Sequence, residues 1–242
     1  MKQGIYTIAS NRPLTADVWE MRLLGDTSAI TAPGQFVNIK LDGLFLRRPI
    51  SVCDWDDESI TIIYKVVGKG TAAMSAMTEG QTLDVLTGLG NGFDVDKCAE
   101  HTLVIGGGVG VPPMYGLAKA LLKAGKKPTA ILGFNKREEL FYEEQFQALG
   151  IETIVTTVDG SYGVKGFVTD ALPNGYEFFC TCGPEPMLKA IYNATNTSGL
   201  LSFEERMGCG FGACMGCSCE TKYGNKRICK DGPVLEKEEI IW

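Results

Sequence analysis

Two rhythms of apolar and polar positions divide the chain. Over residues 1–98 the apolar positions come in short alternating runs. Val18–Leu23 alternates, as does Gln35–Leu41. Ser59–Val67 is β-branched and aromatic, and Thr82–Leu86 is a further short run. Alternation with period two places one set of side chains on one face of a strand. Turn residues separate the runs at Ala32-Pro33-Gly34, Leu41-Asp42-Gly43 and Gly68-Lys69-Gly70. Several short strands at this spacing predict an antiparallel barrel or sandwich, of which the Greek-key β-barrel is the fold expected. A short helix is expected over Met74–Met77.

From about residue 99 the rhythm changes to apolar strands alternating with helices. Thr102–Ile105 is a buried apolar strand, Gly106–Gly110 a turn, and Pro112-Pro113 open a helix. Proline is tolerated in a first turn, where its missing N–H has no partner to lose. Met114, Leu117, Ala118, Leu121 and Leu122 form that helix's apolar face, and Gly125 ends it. Strands follow over Thr129–Phe134, Glu152–Thr157 and Glu177–Cys182, with helices over Glu138–Leu149 and from about Glu185 to Thr195. Such alternation predicts a parallel sheet covered by helices on both faces. The expected division is a barrel over 1–98, an α/β domain over 99–201 and a cysteine module over 202–242. The last segment is too short to own a core, so a metal centre is expected to staple it.

Composition narrows the function. Net charge is −6 and no Lys/Arg-rich run occurs, which disfavours nucleic acid. No apolar run is long enough to span a membrane, and Met1-Lys2-Gln3-Gly4-Ile5 lacks an apolar signal region. A cytoplasmic location is therefore expected, with no membrane partner. Nine cysteines, five of them clustered, suit a reducing compartment and a metal better than a disulfide framework. The single histidine, His101, excludes His-rich metal sites.

The cysteines carry the clearest chemistry. Cys209, Cys214 and Cys217 stand at C-x4-C-x2-C, and Cys229 follows after eleven residues. Four thiolates with this spacing suit a plant-type [2Fe–2S] cluster. Gly208, Gly210, Gly212 and Gly216 are expected to let the backbone wrap the core at positive φ and turn bare N–H groups on the sulfurs. Cys219 could replace Cys217, although Cys217 completes the spacing. Structural zinc is the competing reading; zinc sites usually show two short C-x2-C-like pairs, whereas the first gap here is x4.

Two further motifs point to nucleotides. The Gly106–Gly110 turn joins a strand to a helix, where glycines let backbone N–H groups approach a pyrophosphate. It is not a complete G-x-G-x-x-G, since Val111 holds the third position, and Asn135-Lys136-Arg137 stand where an acidic residue would mark NAD. A tight turn without a ligand would look the same. Cys182-Gly183-Pro184 lies at a carboxyl strand end, where ligands of open α/β sheets collect. In the barrel half, Arg47-Arg48-Pro49-Ile50-Ser51 sets two guanidinium groups, suited to phosphate, before a proline and a serine. Gly68-Lys69-Gly70-Thr71 is a second turn able to contact phosphate. Each of these alone also reads as a solvated turn.

Together, these motifs resemble the ferredoxin–NADP reductase superfamily over the whole chain. The Arg47–Ser51 run, Gly133–Phe141, Glu205–Cys214 and Cys229–Val234 are similar to the electron-transfer subunits of class 1B dihydroorotate dehydrogenase. The resemblance implies FAD held by Arg48, Pro49, Ile50, Ser51, Ile63, Tyr64, Lys65, Gly70 and Thr71. It implies NAD(H) at Gly106, Gly107, Gly108, Gly110, Cys182, Gly183 and Pro184, and one [2Fe–2S] cluster on Cys209, Cys214, Cys217 and Cys229. It also implies a separate FMN-containing catalytic subunit, two of each chain forming a heterotetramer, in pyrimidine biosynthesis. Electrons would pass from that subunit through the cluster and FAD to NAD+, with no residue of this chain abstracting a proton from dihydroorotate. Phe211 and Met215 are expected at the partner interface. The nearest alternative is the small flavin/iron–sulfur subunit of a bifurcating NADH-dependent ferredoxin–NADP oxidoreductase, a sulfide dehydrogenase or an anaerobic sulfite reductase.

Overall fold

A computed structural model describes residues 1–242. Six strands form the first half: β1 (Lys2–Pro13), β2 (Val18–Leu24), β3 (Phe36–Lys40), β4 (Arg48–Trp55), β5 (Ser59–Lys65) and β6 (Thr82–Leu89). They close into an antiparallel barrel in the order β1-β2-β5-β4-β3-β6, with β6 paired back on β1. Connections that skip a neighbour in this way are Greek-key crossings. Closure leaves no unpaired edge. The barrel is filled by inward positions of the alternation, among them Ile8, Met21, Leu23, Val37, Ile39, Ile60 and Ile62, all fully buried. Helix α1 (Lys69–Ser75) follows β5 and starts earlier than the expected Met74–Met77, because Gly68 is its extended N-cap and the Thr71 hydroxyl accepts the Val67 and Gly68 N–H groups.

The second half is a seven-stranded sheet in the order β10-β9-β8-β7-β11-β12-β15. Its members are β7 (Thr102–Gly107), β8 (Thr129–Phe134), β9 (Thr153–Thr157), β10 (Val164–Lys165), β11 (Phe178–Cys182), β12 (Gly199–Ser202) and β15 (Val234–Glu236). All pairings are parallel except β12 with β15. Alternation assigns the two faces. Val104, Ala130, Leu132 and Cys180 pack with Met114, Leu117 and Leu121 of α2 (Val111–Lys123). Leu103, Ile105, Ile131 and Phe179 pack with Leu188 and Ile191 of α4 (Glu185–Ala194). The expected helix over 138–149 is broken. A 3-10 turn covers Arg137–Glu139, and α3 is confined to Glu143–Ala148. Between them Phe141 and Tyr142 turn inward, Tyr142 at φ 71. The Tyr142 hydroxyl donates to Glu20 Oε2 at 2.8 Å, tying the sheet half to barrel strand β2.

The cysteine-rich tail adds a hairpin, β13 (Ser218–Thr221) with β14 (Gly224–Arg227), and then supplies β15 to the sheet. Cys217, Ile228 and Cys229 are buried in the same cluster as Phe36 of the barrel and Ile105 of the sheet. No helix is long and apolar enough to cross a membrane.

Candidate functional site

Three groups of residues are candidates, one on the barrel, one at the carboxyl ends of the sheet and one in the tail. The first is the barrel stretch at the start of β4. Its two arginines do different things. Arg47 forms a half-buried ion pair with Asp84, 3.0 Å away, and donates to the backbone oxygens of Asn38 and Asp84. Arg48 has no carboxylate partner; its guanidinium caps the Leu46 carbonyl and lies against Gly70. A Cβ at Gly70 would sit 2.1 Å from Arg48 Nε, so the glycine is required for this approach. The fold thus joins Arg48 to the Gly70-Thr71 turn, which is 22 residues away in sequence. A free, preorganised guanidinium fits a pyrophosphate. Thr71 spends its hydroxyl inside its own turn. Ile63 is buried between the halves, and Tyr64 turns into the barrel with its hydroxyl donating to Asn11 Oδ1 at 3.0 Å. Only the backbone of Tyr64 therefore faces outward for a cofactor. Lys65 pairs with Asp17 at 3.0 Å. Pro49, Ile50 and Ser51 are half-buried along β4.

The second group sits at the carboxyl ends of β7 and β11, which are in register with Cys182 beside Gly106. Glycine is needed here for close approach: a Cβ on Gly110 would lie 2.2 Å from the Cys182 carbonyl oxygen, and one on Gly107 2.4 Å from Met187 Sδ. Gly108, at φ 51, faces open space. Gly183 lies against the Gly107 N–H, and Pro184 begins α4. Helix α2 opens directly after Gly110, but Pro112 and Pro113 carry no N–H and the Val111 N–H goes to the Gly108 carbonyl, so the donors at this strand end are those of the glycine turn. Burial pushes the Cys182 thiol up to about 12, so it is neutral at pH 7. This strand end, with glycine backbone and a neutral thiol, suits a dinucleotide. His101 lies at the opposite, amino end of β7, beside Glu177.

The third group is the cysteine loop. Four thiols accept backbone N–H groups. Cys209 Sγ receives them from Ala213 at 3.2 Å and from Phe211 and Cys214 at 3.5 Å. Cys214 Sγ receives the Cys209 N–H at 3.5 Å, Cys217 Sγ the Cys229 N–H at 3.4 Å, and Cys229 Sγ the Gly212 N–H at 3.1 Å. Cys219 lies outside this net. It sits on β13 opposite Lys226, and burial raises its thiol. Burial alone would raise Cys209 as well, but the three amides outweigh it and bring the thiol down to about 6. Burial and the neighbouring Cys217 push Cys229 up to about 12. An amide net on four sulfurs is the donor set a [2Fe–2S] cluster uses to hold thiolates and tune potential. The glycines divide in role. Gly210 and Gly212 adopt φ 80 and 89, whereas Gly208 and Gly216 do not reach positive φ and instead make room beside Cys214 Sγ. Met215 also lies at φ 59.

The loop is asymmetric. Cys217 and Cys229 are buried, Cys214 is exposed, and Phe211 and Met215 are 43% and 55% exposed at its rim. Two residues that sequence reasoning passed over hold it in place. Arg227 pairs with Asp231 at 2.9 Å and donates to the Gly212 carbonyl at 3.0 Å. Asn38 of β3 donates to the Cys209 carbonyl at 3.2 Å. Arg227 and Asp231 are four apart but lie on a strand end and in a turn, where that spacing is no signal, and nothing in sequence links Asn38 to residue 209.

Comparison with known proteins bears on the tail and on the sheet. Residues 204–241 match the iron-sulfur cluster binding domain of dihydroorotate dehydrogenase B, and residues 104–193 match the oxidoreductase NAD-binding domain. The chain is 43% identical, over its full length and 99% of the relative's, to the dihydroorotate dehydrogenase B (NAD(+)) electron transfer subunit of Geobacillus sp. (strain WCH70). It is 44% identical to that of Fusobacterium nucleatum subsp. nucleatum, over 99% of each chain. Among solved structures, a chain of an NADH-dependent reduced ferredoxin-NADP oxidoreductase superposes with a TM-score of 0.89 at 31% identity, covering 99% of this chain and 90% of that one. A ferredoxin NADP+ reductase from Neisseria gonorrhoeae shares the fold at a TM-score of 0.70 and 17% identity, over 80% of this chain and 90% of that one. On its identity to relatives over their whole length, the chain belongs to the family of dihydroorotate dehydrogenase B electron transfer subunits.

Proposed function

We propose that this chain is the electron-transfer subunit that carries electrons from a partner FMN dihydroorotate dehydrogenase subunit through a [2Fe–2S] cluster and FAD to NAD+, in pyrimidine biosynthesis. The observation that carries the reading is the amide net on Cys209, Cys214, Cys217 and Cys229, in a chain that matches its relatives from end to end. When bound, the cluster supplies one-electron transfer, and the flavin converts this to the hydride that nicotinamide accepts.

The residues divide that work. Cys209, Cys214, Cys217 and Cys229 ligate the cluster, while Cys219 packs in the hairpin. Arg48 pairs with the FAD pyrophosphate, beside Gly70-Thr71, and Pro49, Ile50, Ser51 and the backbone from Ile63 to Lys65 line the flavin. Gly106, Gly107, Gly108 and Gly110 cradle NAD(H), with Cys182, Gly183 and Pro184 beside the nicotinamide. The units are a flavin barrel over 1–98, a nucleotide domain over 99–201 and a cluster module over 202–242, the last reaching back to donate β15 to the sheet.

The exposed rim of Phe211 and Met215 supports a partner face beside the cluster, since aromatic and methionine side chains are enriched at interfaces. The assembly proposed is a heterotetramer with two FMN subunits, in the cytoplasm. The 31% identity to the bifurcating oxidoreductase chain supports the second reading, in which the same module serves a ferredoxin-linked complex. The first is favoured because identity to the dihydroorotate dehydrogenase subunits reaches 44% over 99% of both chains.

Co-expression with an FMN dihydroorotate dehydrogenase subunit tests the reading. The purified complex should form NADH from dihydroorotate and NAD+, and the Met215→Glu chain should keep its iron yet assemble poorly. A complex that reduces no NAD+ with dihydroorotate would reject the assignment.

A further inference from the structure

Asn38 occupies a position that the fold alone does not call for. It lies on β3 between Val37 and Ile39, whose side chains fill the barrel. By the strand's alternation its own side chain points outward, as does Phe36, which belongs to the same buried cluster as Cys217 and Cys229. Asn38 is 1% exposed. Its Nδ2 donates to the Cys209 carbonyl, and its Oδ1 has no partner in the protein. Across the sheet it pairs with Pro49, next to Arg48 on β4. The loop is shaped to meet it: a Cβ on Gly210 would lie 2.2 Å from Asn38 Nδ2.

A buried acceptor without a partner is costly, and an apolar side chain of the same shape would avoid that cost. Packing therefore gives no reason for an asparagine. The amide donor does, because the carbonyl it holds belongs to the first cysteine. Fixing that peptide sets the turn from which Phe211, Ala213 and Cys214 donate to Cys209 Sγ.

We infer that Asn38 is a positioning residue for electron passage, joining the Cys209 peptide of the cluster loop to the barrel strand beside β4. This rests on the proposed cluster and flavin sites. Hydrogen bonds to the sulfurs set a cluster's potential. Loss of the Asn38 donor lets the loop turn and weakens those bonds, so the potential falls.

The test uses the full chain loaded with FAD and iron–sulfur, as wild type, Asn38→Leu and Asn38→Ala. Iron and FAD per chain, the EPR spectrum and midpoint potential of the reduced cluster, and the rate at which NADH-reduced flavin passes an electron to it are measured. Both variants should keep iron and FAD, show an altered EPR spectrum and a lowered potential, and transfer the electron several-fold more slowly, with hydride transfer from NADH to FAD unchanged. Unchanged spectrum, potential and rate in either loaded variant would overturn the inference. Loss of iron in both would overturn it too, since Asn38 would then retain the cluster rather than position it. A wild-type chain without a [2Fe–2S] spectrum would instead reject the cofactor reading beneath it.

Discussion

The sheet and the cysteine tail hold themselves together by different physics. The sheet buries apolar side chains on both faces: Val104, Leu132 and Cys180 against α2, and Ile105, Ile131 and Phe179 against α4. Its shape follows from area removed from water, which any suitable apolar set supplies. The tail buries Ile228, Cys229, Leu235 and Ile240 against the sheet and barrel, but its cysteine loop, with Phe211, Cys214 and Met215 exposed, has little such area. Its loop from Cys209 to Cys217 is organised by N–H groups aimed at sulfur, by Arg227 on the Gly212 carbonyl and by Asn38 on the Cys209 carbonyl. A structure held this way depends on its metal, because binding energy supplies what the core does not. A thinly packed loop on a well-packed body leaves the proposed cluster near the surface, with Asn38 tying it to the barrel.

Removing a proposed ligand is the strongest way to break this contrast. Serine at position 209, 214, 217 or 229 should abolish the cluster and leave the loop unprotected in amide exchange, with barrel and sheet still protected. Cys219→Ser should keep full iron. A cluster-free Cys219→Ser beside a normal Cys217→Ser would reverse the assignment.

The paired arginines give the next largest effect. Arg48→Ala should weaken FAD binding by about 1.5–3 kcal/mol, the worth of a charge-assisted contact, with the melting temperature of the apo chain unchanged. Arg47→Ala should do the reverse, destabilising the barrel by about 1–3 kcal/mol as Asp84 loses its charged partner and keeps only Gln3, with FAD affinity retained. Flavin titration and thermal melting on both variants separate the two roles. Equal losses of FAD would erase the distinction.

Why these neighbours could not be told apart beforehand is instructive. Arg47 and Arg48 are identical in local sequence; Asp84, which claims Arg47, lies 37 residues away. Cys217 and Cys219 likewise differ only in which of them meets Cys229. Asn38 and Cys209 are 171 residues apart, and an asparagine in an alternating run carries no local sign of its partner. By contrast, β2, β3, β5, β6, β7, β8, β9 and β11 were readable, because burying one or both faces of a strand writes a period or an apolar run into the sequence. The strands missed write neither. In β1, Lys2–Pro13 mixes exposed and buried positions, and β12 and β15 span only four and three residues. The failed helix over 138–149 had the right period, but Tyr142 leaves it at φ 71 to reach Glu20 across the barrel boundary.

That boundary supplies the smallest expected effect. Tyr142→Phe removes one hydrogen bond to Glu20 and should cost about 1 kcal/mol in chemical denaturation, with cofactor content unchanged. A loss of NADH-dependent flavin reduction without any loss of stability would show that the contact governs domain closure instead.

The central claim is that barrel, sheet and tail form one electron path within this chain. Anaerobic titration of the purified, FAD- and iron-loaded full chain with NADH tests it most directly, followed by visible absorbance and low-temperature EPR. The flavin bands should bleach and the [2Fe–2S] EPR signal should grow with added NADH. Flavin that bleaches while the cluster stays EPR-silent, or a tail that holds zinc and no iron, would contradict it.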